Sequence, residues 1–145
     1  MICIDASVVA KWFLLEEWTD LARALLRDTL FTDETIVAQT LLPYELTNIF
    51  YQRLRAGGSL SFEESLRFLE DFLRIPIELH NPVEMHRRAL ILTNEHGLSA
   101  AYDAHYLALA EQFACVLWTD DRRLLRTPEG RLPFVRSISD YAMAG

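Results

Sequence analysis

Lysine is almost absent from this chain. Lys11 stands alone among fourteen basic residues, and the other thirteen are arginine. Enzyme classes that need a lysine late in the chain therefore have nowhere to put it. Two cysteines are too few for a disulfide framework, and 145 residues need none. Cys3 and Cys115 both fall in expected strands and the four histidines lack ligand spacing, which argues against a zinc site. With five glycines and five prolines the chain is neither collagen-like nor linker-rich. No glycine-rich loop follows a strand, so P-loop and dinucleotide binding fail. No apolar run approaches the ~18 residues of a spanning helix. The opening Met1-Ile2-Cys3-Ile4-Asp5 has no basic region ahead of an apolar stretch. The expectation is a cytoplasmic protein with reduced thiols and no membrane contact. An excess of positive charge is missing too: 21 acids against 14 bases give −7, which speaks against a long nonspecific grip on DNA.

What is present is an alternation of short apolar runs and amphipathic patterns. Strands are expected over 2–4, 36–38, 75–79 and 115–119, with a last edge strand over 132–135. Helices are expected over 19–30, 42–55, 61–73, 82–96 and 100–113, with a short one over 122–125. A further helix carries Val8, Val9, Trp12 and Phe13, with Ser7 as its cap. Pro43 suits an early helix position, and Gly57-Gly58 stops that helix. Ser61 and Glu64 form a capping box. Ser99 is the expected cap of the helix that begins at Ala100. Strands alternating with helices over residues 1–145, with no repeat and no linker, argue for one α/β domain with a mostly parallel sheet.

Sites in such sheets form at the carboxyl ends of the strands. Asp5 follows the first strand and Asp121 lies just beyond the fourth. Glu45 falls between Leu42 and Ile49 and interrupts an apolar helix face. Asp103 does the same ahead of Tyr106, Leu107 and Ala110. A carboxylate on a core face is costly unless paired, protonated or bound to a metal. Each acid also has a structural reading. Asp5 and Asp121 would cap helices, Asp103 would complement a helix dipole and Glu45 would pair with an arginine. Ser7 and Thr119 lie two residues from Asp5 and Asp121 and would orient a carboxylate or a water.

These residues carry a resemblance. The chain resembles PIN-domain proteins, and among them the VapC-type toxins of prokaryotic toxin–antitoxin pairs. The residues concerned are Ile4-Asp5-Ala6-Ser7-Val8-Val9, then Pro43-Tyr44-Glu45-Leu46, then Asp103-Ala104-His105-Tyr106-Leu107-Ala108, then Val116-Leu117-Trp118-Thr119-Asp120-Asp121. Each motif is short; the ordered set of four spans nearly the whole chain. The resemblance implies a three-layer domain with a twisted, mostly parallel sheet of four to five strands flanked by helices. It also implies a ribonuclease dependent on Mg²⁺ or Mn²⁺, with Asp5, Glu45, Asp103 and Asp121 as catalytic and metal-binding acids. Asp120-Asp121 offers two candidates for the fourth acid, and the Thr-x-Asp spacing selects Asp121. Ser7 and Thr119 would support the acids. An all-oxygen donor set suits a hard cation.

With −7 overall, local arginines would have to meet RNA: Arg53 and Arg55 at one helix end, and Arg122, Arg123 and Arg126 beside Asp121. The resemblance further implies a small antitoxin partner and a homodimer. One helix cannot bury Trp12, Phe13, Leu14 and Leu15 together, because consecutive residues point to all sides of it. The expectation is a hydrophobic partner groove lined by Trp12, Phe13 and Phe50. Two other readings stand beside the toxin: an RNA-processing nuclease of the same fold without an antitoxin, and a binding module whose activity has decayed. An aspartyl phosphotransferase fits poorly, since Ala6 and Ser7 follow Asp5 and Lys11 lies early.

Overall fold

The computed structural model describes residues 1–126 and 132–142. Five strands, β1 (Ile2–Ile4), β2 (Ile36–Gln39), β3 (Ile77–His80), β4 (Val116–Thr119) and β5 (Val135–Ser137), form one sheet in the order β3-β2-β1-β4-β5. All four pairings are parallel. Each crossover carries helix: α1 (Ala6–Phe13) and α2 (Thr19–Phe31) after β1, then α3 (Leu42–Arg55) and α4 (Phe62–Arg74) after β2. α5 (Val83–His96) and α6 (Ala101–Gln112) follow β3, and α7 (Arg122–Leu125) follows β4. Every residue of β1 and β2 is buried, so helices cover both faces of the sheet centre. The expected α/β architecture is the observed one.

The chain runs outward from β1 to β2 to β3, then crosses back to pair β4 on the other side of β1. Between β1 and β4 the order reverses, and such a reversal opens a crevice at the carboxyl ends of the strands. The register sets Ile4 beside Trp118, which brings Asp5 level with Thr119. α6 closes this region from one side. It packs on β1, β2 and β4, and its Ala104, Leu107 and Ala108 are buried.

Some expected boundaries move. β3 begins at Ile77 rather than 75, because Ile75 caps α4 and Pro76 offers no N–H to the ladder. β5 covers Val135–Ser137 rather than 132–135, set by the pairing of Leu117, Trp118 and Thr119 with Val135, Arg136 and Ser137. Ser99 does not cap α6; Ala100 is the cap residue and makes no side-chain bond. Asp5, not Ser7, caps α1. The Ser61–Glu64 capping box is present, with both reciprocal bonds formed.

The crowding at residues 12–15 is resolved within the chain. α1 ends at Phe13, and Leu14 turns into an extended conformation that buries it at 4% exposure. Trp12 is 6% exposed, with its indole Nε1 donating to Ala22 O at 3.0 Å. Only Leu15, at 83%, is left in solvent. No helix is long and apolar enough to cross a membrane among the described residues.

Candidate active site

Asp5 leaves β1 with extended backbone and caps α1. Its Oδ1 accepts from Ser7 N at 3.1 Å, Ser7 Oγ at 2.5 Å and Val8 N at 3.3 Å. Its Oδ2 accepts from Thr119 Oγ1. The two hydroxyls are tied in turn to the rim of β4. Ser7 Oγ accepts from Asp120 N at 2.8 Å and Thr119 Oγ1 from Asp121 N at 2.9 Å. Asp5 is thus both a helix cap and the hub of the rim. Burial pushes its pKa up to about 6, against the lowering bonds from Ser7, Thr119 and Val8 N; Asp121 adds a smaller rise.

Glu45 projects from the first turn of α3. Its Oε1 accepts from Tyr106 OH at 2.9 Å and Gln39 Nε2 at 3.3 Å. Both partners are neutral, and no arginine pairs with it among the described residues. Burial raises its pKa to about 7, helped by the charges of Asp5, Asp103 and Asp121 and opposed by the Tyr106 bond. Asp103, in the first turn of α6, is raised by burial and by Asp121 and lowered by Arg123.

Asp121 caps α7, with Oδ1 accepting from Arg123 N at 2.8 Å. The Arg123 guanidinium then folds back onto two of the acids. Its Nη2 lies 3.1 Å from Asp121 Oδ2 and 3.3 Å from Asp103 Oδ2. Tyr44, Glu45, Asn48, Tyr102, Asp103 and Arg123 line a cleft of about 370 Å³ here.

The Asp121 charge therefore lies close enough to raise the proton affinity of Asp5, Glu45 and Asp103, and Asp5 and Asp103 add to the rise at Glu45. Among the described residues, however, no three of them converge tightly enough to hold an ion as they stand. Their chemistry is right for a hard cation, being oxygen donors only. Two are engaged by Arg123 and one is held by its hydrogen bonds, so closure on an ion needs those contacts to rearrange.

Asp120 points elsewhere. Its Oδ2 meets Lys11 Nζ at 2.9 Å, and Lys11 also reaches Glu16 Oε2 at 3.3 Å. Glu16 Oε1 in turn takes Arg53 Nη2 at 2.6 Å. Arg53 thus belongs to an ion-pair chain, with its side chain still 39% exposed. Arg55 is exposed beside Gln52, and Arg122 and Arg126 are exposed.

Of the three expected groove residues, Phe13 is half-buried and borders a cleft with Leu15, Arg53, Leu60 and Phe68, while Trp12 and Phe50 are buried. Trp12 faces the core. Phe50 is 3% exposed and joins Phe13 and Phe68 in an aromatic cluster with ring centroids 5.7 to 6.0 Å apart. Phe50 touches only the floor of a small apolar pocket bordered by Tyr51, Leu54, Phe62, Leu66 and Leu69.

Sequence reasoning missed Lys11, Gln39 and Tyr106 as partners of the rim. Tyr106 had a signal, since it lies three residues after Asp103 and so on the same helix face.

The family model described as PIN domain matches residues 2–130. Ribonuclease VapC3 of Pyrobaculum aerophilum is 29% identical over 125 residues, covering 85% of this chain and 91% of that protein. The crystal structure of PAE2754 from the same organism superposes with a TM-score of 0.68 at 24% identity, covering 95% of this chain and 89% of the other. VapBC2 from Rickettsia felis, bound to a DNA fragment from its promoter, gives 0.65 at 15% identity, covering 94% and 98%. The likeness to both solved structures is one of fold.

Proposed function

The chain belongs to the PIN domain family, and from that premise we propose that it is a divalent-metal-dependent endoribonuclease, the toxin of a toxin–antitoxin pair. One observation carries the reading. Asp5 and Glu45 sit at the sheet's switch point held only by neutral donors, with their pKa values pushed up to about 6 and about 7. A buried and a half-buried acid kept at such a cost, at the rim where α/β sheets bind ligands, mark a functional site. The relative named Ribonuclease VapC3 supports the same chemistry.

In this reading Asp5, Glu45, Asp103 and Asp121 hold Mg²⁺ or Mn²⁺. When bound, such an ion supplies Lewis acidity at the scissile phosphate and a more acidic water to attack it. The chain's own residues do the positioning. Ser7 and Thr119 fix the Asp5 carboxylate, and their tie to the backbone of Asp120 and Asp121 fixes the rim of β4 against it. Tyr106 and Gln39 aim Glu45.

The partners in this proposal are an RNA substrate, a small antitoxin protein and a second copy of the chain. The setting is the cytoplasm, with both free thiols reduced. The test is incubation of total RNA with Mg²⁺, with and without EDTA, followed by mapping of the cut ends. Cleavage that stops on chelation and in both Asp5→Asn and Asp103→Asn is expected. Undiminished cleavage in excess EDTA overturns the metal assignment. Sedimentation at micromolar concentration tests the dimer, and a small DNA-binding protein encoded next door tests the antitoxin.

A further inference from the structure

Two histidines meet across the α5–α6 helix pair. His86 Nδ1 lies 3.0 Å from His105 Nε2, with ring centroids 5.1 Å apart and planes at 65°. Nineteen positions separate them in the chain, so no ligand spacing marks them in the sequence. The chain turns between them after Gly97, which ends α5 with a φ of 59°, a left-handed conformation that suits glycine. His86 is exposed and His105 half-buried, so burial does not force the rings together.

A second contact prepares one of the rings. His105 Nδ1 lies 2.7 Å from Ala101 O. A carbonyl only accepts, so Nδ1 carries the hydrogen of the neutral ring and Nε2 keeps its lone pair. Metal-binding histidines are held in this way, one ring nitrogen donating to a carbonyl while the other coordinates. His86 Nδ1–H then donates to His105 Nε2. Because His86 is exposed, water can serve its Nε2–H in the other tautomer, and Nδ1 then offers a second lone pair. The spacing suits an ion. At metal–nitrogen distances of about 2.0–2.1 Å, nitrogens 3.0 Å apart subtend about 95° at the metal, and about 0.3 Å of widening reaches the tetrahedral angle. The scaffold is braced as well: Arg88 of α5 donates to both carboxylate oxygens of Glu111 on α6, at 2.9 and 3.1 Å. Ligands mounted on helices hold their geometry better than ligands on loops.

We propose that His86 and His105 form a site for a transition-metal ion of the Zn²⁺ class, which clips α5 to α6 and is separate from the carboxylate rim. The ion replaces the hydrogen between the two nitrogens, which leaves to solvent as a proton. No group of three or more His, Cys, Asp or Glu assembles a metal site among the described residues, so water completes the coordination. Donor type sorts the ions: imidazole suits Zn²⁺, Ni²⁺ and Cu²⁺, whereas carboxylate oxygens suit Mg²⁺ and Mn²⁺. Asp103 takes no part. It lies two residues before His105, about 200° around α6, and its Oδ2 meets Arg123. The clip thus fixes the helix that presents a rim acid without sharing a ligand with the rim, and it stands whether or not the chain cleaves RNA.

The test is calorimetric titration of Zn²⁺ into the untagged full chain, with Mg²⁺ in excess to occupy the carboxylates. One Zn²⁺ per chain should bind. His86→Gln and His105→Gln should each weaken Kd about tenfold or more, since losing even an outer partner of a metal ligand costs about 10–100-fold. Asp103→Asn shares no ligand with the pair and should bind Zn²⁺ within about twofold of the wild type. Zn²⁺ should also raise the melting temperature of the wild type and leave that of the histidine variants unchanged. Their metal-free melting temperatures show whether they fold, and His86, being exposed, is the safer of the two. Wild-type Kd in both histidine variants overturns the proposal, as does a wild-type chain that takes up no Zn²⁺. Binding that Asp103→Asn abolishes and the histidine variants keep overturns it too, by placing the ion on the carboxylates.

Discussion

Lys11 Nζ lies 2.9 Å from Asp120 Oδ2, and the lysine is only 3% exposed. This half-buried pair separates two adjacent carboxylates that the sequence leaves equivalent. Asp120 turns to Lys11, while Asp121 faces Asp103 and Arg123. The pair also anchors the backbone that delivers Asp120 N to Ser7 Oγ. Asp120→Asn should therefore lower stability and leave cleavage within about threefold. Asp121→Asn should lower kcat by about a hundredfold or more, since even groups that merely orient metal ligands cost about 10–100-fold. Urea unfolding and steady-state cleavage on both variants decide it. The reverse pattern would make Asp120 the fourth acid.

The pH dependence of stability follows from Asp5 and Glu45, held at about 6 and about 7 against ordinary carboxyl values near 4. A raised folded-state pKa means the folded protein prefers the proton. The stability this contributes is full below about pH 4 and is lost as pH rises through 6 and 7. The metal-free protein should thus lose on the order of 1 kcal/mol from Asp5 between pH 5 and 8. Asp5→Asn keeps an N-cap acceptor without the charge. In EDTA at pH 8 it should melt at or above the wild type, and the difference should narrow toward pH 5. A melting temperature several degrees below wild type at pH 8 would show that the carboxylate is needed as a cap.

Much of the rim is legible in the sequence because its physics is local. Asp5 directly follows three apolar residues, and Glu45 and Asp103 break apolar helix faces, so their positions follow from periodicity alone. The parallel sheet follows from the alternation of elements. The burial of Trp12 is not legible, because nothing in the helical period marks the point where Leu14 leaves the helix and relieves the crowding. The partners of Arg53 and Arg123 are hidden from the sequence for a related reason. Beside one another in sequence, arginines look like a solvated face. Their partners, Glu16 for Arg53 and Asp103 for Arg123, are set by tertiary packing. Lys11 stands out as the sole lysine, but its pairing with Asp120, 109 residues away, depends on α1 packing against the end of β4.

The thiols give a check on the core. Cys3 is fully buried in β1, and Cys115, just ahead of β4, is 9% exposed. Burial pushes both thiols up, with mutual repulsion adding to the rise at Cys3. Little thiolate forms near neutral pH, and access is poor. Labelling by a disulfide reagent such as dithionitrobenzoate should run about a hundredfold slower in the native state than in urea. Rapid native labelling of both would place the β1–β4 pair nearer solvent than the structure has it.

Arg123 decides what a metal must displace. In the metal-free protein its guanidinium serves Asp121 and Asp103 together, at 3.1 and 3.3 Å. The side chain is 60% exposed, so solvent weakens the interaction. Exposed ion pairs contribute about 0–1 kcal/mol. A contact that stabilises only the metal-free state must be given up on binding, and it lowers metal affinity by the same free energy. Arg123→Gln removes that competitor and leaves the carboxylates repelling one another until an ion arrives. Mn²⁺ should therefore bind the variant about two- to fivefold more tightly, the ratio that corresponds to 0.4–1 kcal/mol. Calorimetric titration of the metal, with no RNA present, reads this without reference to turnover. Equal or weaker binding would mean that Arg123 aligns Asp103 and Asp121 for the ion, and its loss would then appear as a wider spread of the two acids rather than as an emptier site.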